Sequence, residues 1–190
     1  MKFIIFFLLI LILLFCLKSQ YNTDKFFCEP KKYRFSKKKW NSKEYKQYNN
    51  CYSYALNSPD PFLKQKRYPG KSSHFKRNNS IYTCDYFNKL LKSDYPDLKK
   101  TNNFLNCPCD KKYNMISLVL DTTDNKKDFH FYRLDSDMTW SHKPGNNKVR
   151  RRDALNNIIY NPKYANHNYK SNNKGNHNYN KFCGYYCLAK

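Results

Sequence analysis

Cys51, His130 and His142 are the residues whose types and order could do covalent chemistry. A thiol attacks carbon as its thiolate, and an imidazole within reach can take its proton. A second imidazole can then hold the first in one tautomer. Such a set performs acyl transfer: the sulfur attacks an amide carbonyl, and His130 receives the thiol proton and later passes it to the leaving amine. His142 orients His130. The two histidines lie twelve positions apart in "DFHFYRLDSDMTWSHK". In a hairpin turning near Ser136 and Asp137, that even separation leaves both on one face, close to opposite one another.

The elements that must position these groups are legible in outline. Asn50 is a good N-cap, Cys51 to Asn57 can form about two helical turns, and Asn57 and Ser58 before Pro59 supply the stop. A thiol in the first turn feels the positive end of the helix dipole, so thiolate is expected at neutral pH. Ser80 can cap a second helix from Ile81 to Leu91, with Ile81, Cys84, Phe87 or Asn88, and Leu91 on one face. "MISLVLD", Met115 to Asp121, reads as a buried strand. His130 opens the next strand, where its side chain can face a helix packed across the sheet. The Cys51 backbone N–H is one oxyanion donor. Its partner would come from just upstream, where Gln47, Tyr48 and Tyr45 are all in reach and spacing does not choose among them.

The order Cys51, His130, His142 resembles the papain-like thiol hydrolases, in particular the NlpC-type and CHAP-type peptidases and amidases. In that branch a helix-capping Cys is followed by a buried strand, a His opening the next strand, and a polar residue, often a second His, on the strand after it. The blocks "NCYSYALN", "DFHFYRLDSDMTWSHKPG" and "FCGYYC" also resemble a group of uncharacterised proteins from bacteria and giant DNA viruses of amoebae. The resemblance covers residues 49 to 162. It implies an α+β, papain-like fold with a small antiparallel sheet packed on a Cys-bearing helix, no cofactor, and a peptide, peptidoglycan or protein substrate. The family's Asp-Cys-Ser-Gly is replaced here by Asn50-Cys51-Tyr52-Ser53, and the interval from Cys51 to His130 is long for the NlpC type.

Other residues bound the setting. Apart from Cys16, seven cysteines remain: Cys51 and six that could form three bridges, Cys28, Cys84, Cys107, Cys109, Cys183 and Cys187. Cys107 and Cys109 are too close to bridge each other without strain, so each should pair elsewhere. The competing use of "CPC" and "CGYYC" is a zinc site, but structural zinc sites usually space their pairs as C-x2-C or wider, and "CPC" has one intervening residue. No metal ligand set is assigned. Asp135 and Asp137 read as turn formers, Trp140 as core, and Arg150-Arg151-Arg152 as a solvated basic patch. The formal charge is +22, which suits an anionic partner. However, the 29 Lys against 7 Arg lack the fork geometry that reads bases, and no nucleic-acid motif is present.

Residues 1–20 form a hydrophobic signal peptide or signal anchor. Phe3 to Leu17 is unbroken and apolar, short for a span and long for a signal core. The chain would then be membrane-attached through this segment, or secreted or virion-associated. Residues 21–48 read as a basic linker or arm, 49–163 as the hydrolase domain, 164–182 as an Asn-rich flexible loop, and 183–190 as a Cys-containing C-terminal segment. The same features also describe a catalytically inactive, disulfide-stapled cationic surface protein that binds an anionic polymer or a partner protein, and both readings stay open.

Overall fold

A computed structural model describes residues 6, 8–15, 27–62, 65–71, 78, 80–110, 112–123, 126–171 and 175–189. In chain order the elements are β1 (Phe27–Cys28), α1 (Lys37–Asn41), α2 (Lys43–Lys46), α3 (Cys51–Ala55), α4 (Cys84–Asp94), β2 (Lys99–Thr101), β3 (Cys107–Pro108), β4 (Tyr113–Asp121), β5 (Asp128–Leu134), β6 (Trp140–His142) and β7 (Lys181–Ala189). The protein is α+β. Its five-stranded antiparallel sheet has the order β2-β7-β4-β5-β6, and β1 and β3 form a separate ribbon. Residues 8–15 of the N-terminal apolar stretch are helical and exposed. No helix among the described residues is long and apolar enough to cross a membrane. Cys16 and the flanks of that stretch lie outside the described residues.

Both faces of the sheet are covered, which is why "MISLVLD" is mostly apolar on both faces rather than alternating. All nine residues of β4 are buried. On one face, Ile116, Leu118, Leu120, Phe129 and Phe131 pack under α3 and α4, against Tyr52, Ala55, Phe87, Leu90 and Leu91. On the other, Met115, Val119, Tyr132, Leu134 and Trp140 pack under Ala154, Ile159, Tyr169 and Tyr179. Each fully buried Phe or Leu contributes about 1.5–3 kcal/mol relative to exposure. Trp140 is therefore core.

Several elements differ from the sequence expectation. The second helix begins three residues later than Ile81, because Thr83, not Ser80, caps it through Tyr86 N–H at 3.3 Å. Ser80 N–H is held instead by the Asn78 side chain at 2.8 Å, in a turn. Within the segment read as an arm, Trp40 is buried against Tyr54 (ring centroids 5.0 Å) and Val149. Tyr33 bridges to Asp135 beside the hairpin. The C-terminal segment is a nine-residue strand, β7, hydrogen-bonded between β2 and β4.

The six candidate cysteines form three disulfides, Cys28–Cys109, Cys84–Cys183 and Cys107–Cys187. A zinc site from Cys107, Cys109, Cys183 and Cys187 is excluded, because each is bonded to another sulfur. The bridges span 81, 99 and 80 residues, and a loop of about 100 residues closed in the unfolded chain corresponds to about 4.7 kcal/mol in the entropic account. The spacing of Cys183 and Cys187 would put both side chains on one face of a regular strand. A bulge prevents this: Leu118 pairs Gly184 while Val119 pairs Phe182, leaving Cys183 unpaired. Cys183 thus faces the helices and bonds α4, whereas Cys187 faces the loops and bonds β3.

Gly184 makes the bulge possible at φ +136°, a conformation that side-chain-bearing residues rarely adopt. Gly184→Ala is expected to lower stability by about 1–3 kcal/mol through backbone strain. Urea unfolding of the oxidised protein measures this, and an unchanged midpoint would contradict it.

Candidate active site

Cys51 is the first residue of α3. The helix starts there because Asn50 caps it, its side-chain oxygen accepting from Ser53 N–H at 3.1 Å, while the Asn50 amide donates to Arg67 O at 2.6 Å. Five residues are too few for a helix to hold itself. Two buried cations from the hairpin region grip its ends. Arg133 on β5 donates to Tyr54 O (3.4 Å), Asn57 Oδ1 (3.1 Å) and Tyr54 Oη (2.9 Å), and pairs Asp135 at 3.2 Å. Its guanidinium stacks 4.1 Å over the Tyr54 ring. Lys143, next to β6, donates to Lys46 O, Asn49 O and Gly145 O at 2.7, 2.6 and 2.6 Å, so every ammonium proton has a carbonyl. Burial draws the Lys143 pKa down to about 8.

The hairpin places the histidines differently from a directly opposed pair. His142 stands opposite Tyr132, and His130 opposite Val119 on β4. The histidines are diagonal neighbours on one face, with ring centroids 4.9 Å apart and His130 Nε2 2.7 Å from His142 Nδ1. That face is the loop side of the sheet. The helix α3 lies on the other side, over Phe129 and Phe131, so His130 does not face it across the sheet. Cys51 instead meets the edge of β5 beyond the last β6 pairing, with its sulfur 3.8 Å from Phe129 O. Cys51 and His130 both line one pocket of about 370 Å³, together with Lys66, Asp128, Arg150, Tyr169, His177 and Tyr179, among others.

The hydrogen bonds fix the proton positions. His142 Nε2 lies 3.1 Å from Arg152 O, and a carbonyl can only accept, so Nε2 carries the hydrogen. Neutral His142 therefore presents a lone pair at Nδ1, and His130 must donate to it from Nε2. His130 Nδ1 is left as a lone pair without a hydrogen-bond partner among the described residues, on the ring that borders the pocket. It is a base with its tautomer set by a backbone carbonyl two bonds away.

The thiolate expectation does not hold. Burial, then the nearby Asp128 carboxylate, push the Cys51 thiol up to about 12, against smaller opposing effects from the Phe131 and Tyr52 backbone and from Lys143. Burial also holds His130 well below the usual imidazole range, with His142, His167, Arg150 and His177 adding to it, and holds His142 down at about 3. The resting pair is thiol and neutral imidazole. A five-residue helix has too little dipole to offset that desolvation.

Gln47, Tyr48 and Tyr45, the three oxyanion candidates, line a separate hollow with Lys43, Glu44, Pro61 and Phe62. None borders the Cys51 pocket, because the chain turns between α2 and α3 and points them away. Cys51 is free among the described cysteines. Asp135 and Asp137 serve the turn and its cations: Asp137 accepts from Thr139 and pairs Arg151 at 2.7 Å. The arginine triplet is split, since Arg151 stacks on Phe35 at 4.1 Å and Arg150 lines the pocket.

Residues 166–180 supply unforeseen parts of the site. Tyr179 lies on His130 (centroids 5.2 Å) and donates to Asp128 at 2.8 Å. The Tyr132 hydroxyl meets His167 Nδ1 at 2.8 Å, and His167 Nε2 donates to Pro162 O at 2.7 Å. The signal was present: "NHNY" occurs at 166–169 and again at 176–179, and Asn168 bridges to Asn178. Nothing in the sequence marks Lys143 or Arg133 as buried.

Among known proteins the chain is similar to the insoluble matrix shell protein 1 of Ruditapes philippinarum, with 29% identity over 132 residues, 70% of this chain and 80% of that protein. No protein-family model matches the chain, and no solved structure matches it.

Lys143→Met keeps the stem but strands three carbonyls, so a loss of about 3 kcal/mol is expected in chemical denaturation. A stable variant with an unmoved α3 would contradict the clamp. The histidines give a pH dependence. Their folded pKa values are depressed, so between about 3 and 6.5 the unfolded chain binds more protons and stability falls as pH falls. His142 alone accounts for about 3 kcal/mol between pH 7 and 4. His142→Gln should flatten that part of the stability profile, measured by urea midpoints across the range.

Proposed function

We propose that the protein is a papain-like cysteine hydrolase acting on peptide or amide bonds, with Cys51 as nucleophile, His130 as general base and acid, and His142 as the residue that orients His130. The observation that carries this reading is the chain His130–His142–Arg152 O, which leaves one unpartnered imidazole lone pair on the pocket that holds the free thiol.

Because thiol and imidazole rest neutral, proton transfer accompanies attack instead of preceding it. Cys51 Sγ bonds to the carbonyl carbon as its proton passes to His130 Nδ1. The oxyanion faces the Cys51 N–H, which has no acceptor within the first helical turn. His130 then gives that proton to the amine as the C–N bond breaks, leaving a thioester. Water, deprotonated by His130, attacks the thioester and restores the thiol. Throughout, Arg152 O holds His142, and His142 holds His130.

Three disulfides suit an oxidising, extracytoplasmic setting, secreted or membrane-attached, and the relative is named as a shell matrix protein. That relative also favours a second reading, in which the protein is a catalytically silent cationic matrix or binding component. The two readings separate cleanly. The hydrolase is expected to release products from muropeptides or an unfolded protein, seen by mass spectrometry. Cys51→Ala should abolish this, and His130→Ala should slow it about 10²–10⁴-fold. Iodoacetamide should label Cys51 at a rate that keeps climbing above pH 8.5 and falls in His130→Ala. No turnover, with labelling indifferent to His130 and salt-sensitive polymer binding retained in Cys51→Ala, would leave the matrix reading standing.

A further inference from the structure

The pocket carries two cations, Arg150 and Lys66, that no other described residue engages. Arg150 is half-buried, and its backbone is pinned to the histidine strand by paired bonds, His142 N–H to Arg150 O and Arg150 N–H to His142 O, both 2.9 Å. Its neighbours are committed elsewhere: Arg151 to Asp137, and Arg152 to Asn156 O at 2.7 Å. The Arg150 guanidinium has no hydrogen-bond or ion-pair partner among the described residues, and neither does the ammonium of Lys66, exposed on the same lining. The acid on the lining, Asp128, already accepts from Tyr179 Oη at 2.8 Å and lies 3.7 Å from His177 Nε2.

We infer that Arg150, assisted by Lys66, is the specificity determinant for a substrate bearing a carboxylate next to the scissile carbonyl, such as an acidic residue or a free chain terminus. This deepens the proposed hydrolase reading and rests on it. A guanidinium is the group suited to gripping a carboxylate in two parallel bonds, and about 370 Å³ accommodates a short peptide segment. The bound anion would have a second effect. Arg150 is among the charges that depress both histidines, so a carboxylate on it would cancel that field and make His130 a stronger base as the substrate arrives.

The test compares iodoacetate with iodoacetamide on the intact oxidised protein, at pH 8 and low salt. The reagents share one reaction: an S–C bond forms, iodide leaves, and the thiol proton goes to His130. Only the charge differs. The iodoacetate to iodoacetamide rate ratio at Cys51 should exceed that of glutathione, fall about fivefold in Arg150→Gln, survive in Arg150→Lys, and shrink with added salt. The exposed Lys89→Gln, outside the pocket, should not change it. Equal falls in Arg150→Gln and Lys89→Gln would trace the preference to the general field of the chain and overturn the assignment. So would a ratio no higher than that of glutathione while labelling still depends on His130; the hydrolase reading would survive that result. Failure of both reagents to reach Cys51 would overturn both.

Discussion

The short helix α3 depends on groups that are not its own. Five residues cannot pay for their own nucleation, yet this helix holds Cys51 on the pocket that His130 also lines. The constraint is met by two buried cations from one ribbon and its exit: Arg133 grips the C-terminal end through Tyr54 and Asn57, and Lys143 grips the approach through Lys46 O and Asn49 O. The strands that carry His130 and His142 also carry, or adjoin, the clamps. Cys51 and His130 are therefore positioned by a single piece of chain, and a shift of the hairpin moves both together.

Electrostatically the site is built for neutrality. The sulfur, both imidazoles and the rings around them are buried, and behind His142 stands a backbone carbonyl, with no carboxylate there among the described residues. A carbonyl fixes direction without stabilising an imidazolium as a carboxylate would. Any charge formed there arises in a space walled by Tyr179 and Tyr169, where each added dipole counts for more than it would in water. Arg150 and Lys66 are the cations on the lining that a ligand could neutralise.

Much of the local structure around Cys51, His130 and His142 was legible because it lies in local pattern. Asn50 before Cys51 is a cap wherever it occurs, a continuous apolar run implies a strand covered on both faces, and the even spacing of His130 and His142 fixes their common face. The exact register was not legible, since it depends on where β6 begins to pair. Nor was β7: a glycine and two cysteines interrupt its alternation, and only the bulge at Gly184 reveals why they are tolerated. Disulfide connectivity followed from that same bulge. The thiol pKa was misjudged because the sequence shows the helix dipole but not the depth of burial, and desolvation is the larger effect. Candidates upstream of Cys51 were misplaced because a one-dimensional interval does not reveal a turn.

The position of β7 governs how the molecule can be made. Among the described strands it is the last in chain order, yet it lies between β2 and β4, and it brings Cys183 and Cys187. Until then the earlier strands have an open seam, and Cys84 and Cys107 have no native mate, while Cys28 can already find Cys109. Closure must await synthesis of β7, so until then the nascent chain exposes an unfilled sheet edge and reactive thiols at the same time, the interval in which a chaperone or a disulfide isomerase would matter most.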